Sequence, residues 1–447
     1  MSKNTLKITD EFARALDLME NSDKHIFLTG RAGTGKSTLL HLFREKSKKN
    51  LAVLAPTGVA AVNVKGQTIH SFFGFKPDIT YEKVKRVDKG DEVYGRLETL
   101  IIDEISMVRA DLMDCVDKFL RLNGPYRDRP FGGVQMILIG DLYQLPPVVT
   151  GDERAIFASR YETPYFFSAN AFAFDQADLF GKDMSLTCIE LSEVFRQTDP
   201  DFIEVLNAVR DNTIADHHLT RMNSRVVEKE KIKHGEMEMY LTTTNAEAAA
   251  INERELAKLS TDEFVFSAKT EGKFDAKSMP TEADLAVKLG AQIMMLNNDP
   301  AGRWINGTVG KVERIEYDSD FAAYCVSARL SDGELVKIFP HTWDMYAYHF
   351  DNVANHIESE QIGSFRQYPF RLAWAVTIHK AQGKTFDRVV LDLGRGTFSP
   401  GQLYVALSRC RTLEGLTLVK PVQKRHAFID HRIEKFLQKV YTESKKP

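Results

Sequence analysis

The chain predicts an α/β protein: two parallel-sheet cores in tandem, each interrupted by an insertion. Three observations carry that reading. Residues 25–43, HIFLTGRAGTGKSTLLHLF, run from a short apolar strand through a glycine-rich turn into an apolar-periodic helix. Buried-strand runs alternate with helical patterns in both halves, as parallel sheets covered by helices require. Between residues 311 and 368 the pattern changes to short alternating strands (KVERIEY, AYCVSARL, LVKIFP), which fit a small β-barrel-like insertion.

Composition sets the frame for these cores. A chain of 447 residues is long for one hydrophobic core, so roughly two to four domains are expected. With 59 Lys+Arg against 62 Asp+Glu, the net charge of −3 argues against a histone-like polyanion binder but leaves room for a locally basic channel. Cys115, Cys188, Cys325 and Cys410 lie far apart without a C-x-x-C pair, which argues for reduced structural thiols rather than a disulfide frame or zinc site. The opening MSKNTLKITDEF lacks the apolar core of a signal peptide, and no uncharged apolar run approaches about 18 residues. A soluble, cytoplasmic protein without membrane contact is expected.

Taken in order, Thr9 caps a first helix whose apolar positions Phe12, Ala15, Leu16 and Met19 keep helical spacing. Leu51 to Ala55 reads as a buried strand ending in Pro56-Thr57-Gly58. Residues 74–95 differ in texture, with Gly74, Pro77 and the charged run YEKVKRVDKGDEVYGR. They read as a small insertion projecting from the first core or, equally, as a solvated surface loop. Leu100 to Ile102 is a second buried strand, ending in Asp103 and Glu104, and Met136 to Ile139 a third, running into Gly140-Asp141-Leu142-Tyr143-Gln144. From about Asp201 a second half begins, with Phe202, Val205, Leu206 and Val209 at helical spacing. Thr244-Asn245 closes a strand before an Ala-rich helix, and Asn306-Gly307 supplies turn chemistry. Val389 to Leu393 is another buried strand. From Val422 a last amphipathic helix sets Ile429, Ile433, Phe436 and Val440 on one face.

The glycine-rich turn fits G-x-x-x-x-G-K-[ST] at Gly30, Gly35, Lys36 and Ser37, in the strand–loop–helix context that motif needs. Glycines let backbone N–H groups of residues such as Gly33, Thr34 and Thr38 close around phosphate oxygens, and the helix N-terminus adds its positive dipole end. Lys36 reaches the β- and γ-phosphates while the Ser37 hydroxyl ligates Mg²⁺. Asp103, a carboxylate at a strand's C-terminal end, is the metal-organising acid, and Glu104 beside it the base for an attacking water. Gln144 is placed to bond a γ-phosphate or that water, with a strand-end cap as the alternative.

The late stretches WAVTIHKAQGKTFDRV (residues 374–389) and GQLYVALSRCRT (residues 401–412) resemble the last motifs of superfamily-1 helicases. With APTGVAAVNVKGQTIHSFF, LIIDEISMV, FGGVQMILIGDLYQLPPV and LSEVFRQ, the resemblance is to the PIF family of 5′-to-3′ DNA helicases, over about residues 25–412. It implies two RecA-like cores (1–73 with 96–200, and 201–310 with 369–447), a wedge insertion at 74–95 and an SH3-like insertion at 311–368. It implies that Arg196 and Arg409 are arginine fingers from opposite sides of an inter-core cleft, and that Gly383 sits near the γ-phosphate. It also implies that Pro56, Thr57, His70 and Phe72 from the first core, and Thr244, Asn245, Thr377, His379 and Lys380 from the second, touch DNA. For Phe72 and its neighbour Phe73 a place in the core is the competing reading. Where these helicases often carry an adenine-reading glutamine, this chain has Phe12, so other purine triphosphates become possible substrates. The expectation is therefore an ATP- and Mg²⁺-dependent monomeric helicase acting on single-stranded and 5′-tailed duplex DNA, with the family's roles in replication, repair, recombination and telomere maintenance, folded G-rich DNA included. The rivals are a translocating motor subunit with little unwinding, a nucleotide-dependent binding switch, and an RNA helicase.

Overall fold

The computed structural model describes residues 8–87, 92–149, 151, 153–172, 185–195, 197, 199–231, 237–274, 276–353, 355–394 and 396–444. Thr9 caps helix α1 (Asp10–Asn21), its hydroxyl accepting from the Phe12 N–H, and Phe12, Ala15 and Met19 form the buried face. The first core is a six-stranded parallel sheet of β1 (His25–Gly30), β2 (Leu51–Ala55), β3 (Gln67–Thr68), β4 (Thr99–Ile102), β5 (Gln135–Ile139) and β6 (Leu186–Leu191). Their spatial order is β3-β2-β4-β5-β1-β6. The strands are almost continuously apolar because helices cover both sheet faces. The functional loops leave the C-terminal ends of β1, β4 and β5, where an open α/β sheet presents its binding crevice.

The second core is smaller. Its four parallel strands lie in the order Ala375–Thr377, β7 (Met239–Thr242), Val389–Leu391 and Leu416–Leu418. Antiparallel strands fill the chain between the two parts of this sheet, from Glu263–Ser267 to Phe370–Leu372, a wider span than the expected 311–368. The longest pair, His341–Asp351 with His356–Gln367, reaches back to the first core. There the Tyr348 hydroxyl accepts from the Val53 N–H (2.9 Å), and the Asn50 side chain accepts from the Ile357 N–H (2.8 Å).

The described part of residues 74–95 is mostly exposed, with short helical turns at Tyr81–Lys83 and Glu92–Arg96, while Phe75, Val84, Val93 and Tyr94 are buried in the first core and the Tyr94 hydroxyl donates to the Phe72 carbonyl (2.6 Å). One expectation changes. The last helix, His431–Ser444, expected with the second core, packs on the first. Phe436 stacks on Phe167 (4.3 Å between centroids) and meets Phe27 edge-on (5.9 Å). Its burial against this aromatic cluster, with Ile433, Leu437 and Val440, explains its choice of core.

Candidate active site and nucleic-acid contacts

The phosphate loop turns on glycines that no other residue replaces without strain: Gly33 and Gly35 have φ of 84° and 86°. A Cβ on Gly30 would stand 2.7 Å from both the Leu191 carbonyl oxygen and the Thr34 hydroxyl. Helix α2 (Lys36–Lys46) starts directly from Gly35, so its first N–H groups and dipole face the loop. Lys36 Nζ donates to the carbonyls of Gly30 (2.7 Å) and Arg31 (3.0 Å).

Asp103 follows β4 and is buried, and its Oδ1 accepts from the Glu104 N–H (3.0 Å). Burial first, and then the neighbouring Glu104, raises the Asp103 carboxyl to about 7. Burial likewise raises Glu104, against the opposing pull of Lys36 and Arg409. Two adjacent acids whose charge burial opposes, both acted on by Lys36, with Glu104 and Ser37 on one cavity, are a donor set suited to a hard divalent cation on a triphosphate, which would relieve both. The residues therefore fit Mg²⁺ and a nucleotide.

The cleft closes from the other core. A cavity of about 1370 Å³ is lined by Phe12, residues 33–38, Glu104 and Gln144 on one side and by Gly383 and Arg409 on the other. Arg409 is buried, its Nη2 donating to Ser408 Oγ (2.7 Å) and its Nη1 to the Lys384 carbonyl (3.2 Å). Arg196 lies outside the described residues. Phe12 is buried with its ring tip 3.0 Å from where a Gly35 Cβ would be. It offers this wall of the pocket no polar edge for reading a base.

The expected DNA residues stand at the C-terminal ends of parallel strands. Thr57 after β2 and Thr244 after β7 are both exposed helix caps, accepting from the N–H of Ala60 and of Glu247 (3.3 Å each). Asn245 and Lys380 are exposed, Pro56 partly so, and the buried Thr377 hydroxyl accepts from the Lys380 N–H (3.3 Å). His70 and His379 are half-buried, and burial lowers the proton affinity of both rings, so they would meet DNA as neutral hydrogen-bonding groups. Phe72 is the correction: it is 5% exposed and packs edge-on against Phe73, Tyr94 and Tyr348, leaving no ring face for a base.

Sequence reasoning missed three residues that join the halves. The Tyr404 hydroxyl accepts from the Ala32 N–H inside the phosphate loop (3.0 Å). Gln382 reaches both Glu104 and Gln144. Arg210 covers Tyr143 and pairs with buried Asp141. A polar residue inside an apolar helix pattern, as Arg210 is, was the available signal. A second polar cluster, Glu204, His217 and His218, gathers within 4.8 Å. There His218 Nδ1 accepts from the Ala215 N–H (3.1 Å), which leaves the ring proton on Nε2 facing Glu204, unsuited to a cation.

A family model described as PIF1-like helicase matches residues 2–220, and one described as UvrD-like helicase C-terminal domain matches residues 372–417. The ATP-dependent DNA helicase Pif1 of Bdellovibrio bacteriovorus is 32% identical over 431 residues, covering 94% of this chain and 89% of that protein. The chain spans 58% to 62% of the length of fungal and mammalian Pif1 relatives. Bacteroides Pif1 in complex with ADP-AlF4 superposes with a TM-score of 0.86 at 35% identity, covering 98% of each chain. Bacteroides Pif1 bound to ssDNA, and a structure described as two coordinating Pif1 helicases at forked dsDNA, each match at 0.66 with 98% coverage of each chain, at 35% and 34% identity.

Proposed function

Because this chain belongs to the PIF1-like helicase family, we propose that it moves 5′ to 3′ on single-stranded DNA and unwinds duplex or folded DNA by hydrolysing Mg-ATP in the inter-core cleft. The chain is an ATP-dependent helicase; direction, substrate structure and residue roles are the proposed part. One observation carries the reading: Lys36, Glu104 and Gln144 from the first core and Gly383 and Arg409 from the second line one cavity. A site shared in this way is complete only when the cores meet, so hydrolysis and core movement are tied together.

Lys36 and Arg409 stabilise the charge that builds on the phosphoryl oxygens, and Arg196 is proposed to do the same from its own side. Glu104 takes the proton of the attacking water and Gln144 orients the reacting group. Mg²⁺, held by Ser37 and Asp103, would supply Lewis-acid neutralisation of the phosphates. On the DNA, Thr57, Thr244, Asn245, Thr377 and Lys380 grip phosphates with hydroxyl, amide, ammonium and helix-end N–H groups, which is sequence-independent binding by a net-acidic chain. His70, His379 and Pro56 complete the two contact sets. Closure of the cores brings the sets together, and release after hydrolysis lets one advance. Both halves of the site come from one chain, which supports a working monomer. Four free buried cysteines support residence in the reducing cytoplasm, and no helix among the described residues is long and apolar enough to cross a membrane.

A second reading, a translocating motor subunit with little unwinding of its own, is favoured by the shortness of the insertion at residues 74–95, whose Phe75, Val84, Val93 and Tyr94 are anchored in the first core. One experiment separates them. Duplexes with a 5′ or a 3′ single-stranded tail are offered to the wild type and to Lys36→Ala with ATP and Mg²⁺. Unwinding of the 5′-tailed duplex alone, lost in the variant, is the expected result. Failure on both with DNA-stimulated ATP hydrolysis intact would leave the motor-subunit reading, and absence of hydrolysis would remove both.

A further inference from the structure

We infer that Gln382 is a positioning residue of hydrolysis: from the second core it ties Glu104 to Gln144 and holds the base in place for the attacking water. The inference rests on the ATPase reading above. Gln382 Nε2 lies 3.2 Å from Glu104 Oε2 and 3.1 Å from Gln144 Oε1. An ionised carboxylate only accepts, so the amide nitrogen must face Glu104 and the orientation of the carboxamide is set. So held, Glu104 takes one hydrogen of the attacking water as its base. The water oxygen then bonds to the γ-phosphorus as the bond to the β–γ bridging oxygen breaks. The electron pair leaves on ADP, and the released proton stays on Glu104.

The backbone around Gln382 makes this contact responsive. The Ala381 N–H donates to the Thr377 carbonyl (2.9 Å) and the Gln382 N–H to the His379 carbonyl (3.2 Å). One tight turn therefore carries Thr377, His379 and Lys380, assigned above to DNA, and Gln382 in the cleft. A shift of that turn on a DNA strand moves the carboxamide against Glu104, and a displacement of about 1 Å matters at this distance.

The test is steady-state ATP hydrolysis by the full chain, with and without saturating oligothymidylate, for wild type, Gln382→Ala, Gln382→Glu, Gln144→Ala and the Gln382→Ala/Gln144→Ala double variant. For Gln382→Ala the DNA-stimulated kcat should fall on the order of 10²-fold while KM for ATP and binding of a fluorescent ATP analogue stay put. The nearly isosteric Gln382→Glu, which faces Glu104 with a second carboxylate, should fall at least as far with an unchanged melting curve. The double variant should lose less than the product of the single losses, as residues acting as a unit do. A kcat for Gln382→Ala within about threefold of wild type, or a raised KM with kcat kept, would overturn the inference while leaving the ATPase reading standing. A wild type without ATPase activity would overturn the reading itself, and the inference with it.

Discussion

Replacing Arg210 by Met should destabilise the first core through a buried acid that the guanidinium now neutralises. Asp141 is fully enclosed; its Oδ1 accepts from the Tyr143 N–H (3.2 Å) and faces Arg210 Nη2 at 3.4 Å, while Oδ2 has no hydrogen-bond partner among the described residues. Breaking a buried pair from one side costs about 3–5 kcal/mol, because the other charge stays behind. The 3.4 Å separation is long for a charge-assisted bond, and Arg210 is shared with the more exposed Asp211 and Glu190, so the low end of that range applies. Loss of the cation–π contact with Tyr143, at 4.3 Å, adds roughly 0.5–1 kcal/mol. A total of about 3.5–4 kcal/mol corresponds to a fall in Tm of about 7–16 °C for a unit of this core's size. Thermal melting of wild type, Arg210→Met, Asp141→Asn and the double variant measures it. Adding Asp141→Asn to the Arg210→Met variant should recover roughly 2 kcal/mol, since an amide is far cheaper to bury unpaired than a carboxylate. A loss below about 1 kcal/mol in Arg210→Met, or no recovery in the double variant, would refute the assignment of the energy to a stranded charge.

Three further outcomes follow from the geometry. Glu104→Gln should retain ATP binding and lose about 10²–10⁴-fold in kcat, read by phosphate release beside a nucleotide-binding titration. With a buried phenyl ring at position 12 in place of a hydrogen-bonding edge reader, kcat/KM for GTP should lie within about tenfold of that for ATP; a preference on the order of 10³ or more would contradict this. Lys384 is held down to about 8 by burial and by Arg371, Arg409 and Lys380, so its folded-state pKa lies below the unfolded one. The penalty for its charge is present below about pH 8 and is relieved as pH rises from there toward its ordinary value. Lys384→Met should therefore raise the urea midpoint at about pH 7, and the gap to wild type should narrow by about pH 10.

What the sequence made legible was what depends on neighbours in the chain. The glycines and Lys36 act within one turn, Asp103 and Glu104 sit at the end of a strand whose apolar run is unmistakable, and Thr9 caps the residues that follow it. Contacts between distant segments were out of reach. Phe72 and Phe73 are chemically alike whether they meet a base or Tyr348, and only the fold brings the long hairpin onto them. The amphipathic face of the last helix was visible, but not which core would cover it. Strands such as Glu263–Ser267 and Lys269–Gly272 are largely exposed and carry little hydrophobic pattern, so the alternation in the sequence places the start of the β-rich region too late. Gln382 stands within a legible motif but shows no role of its own there, because its partners belong to the other half of the chain.

The return of residues 431–444 to the first core bears on how the protein is made. The aromatic surface around Phe27, Phe166 and Phe167 is finished only by Phe436 and its neighbours. On a ribosome adding about 5–20 residues per second, the first core emerges and then waits for the entire second half, on the order of tens of seconds, with that surface uncovered. During this interval the nascent chain presents a sticky phenylalanine patch to whatever folding helpers attend it. Completion of the catalytic cleft and covering of that patch thus arrive together, as one late event in synthesis.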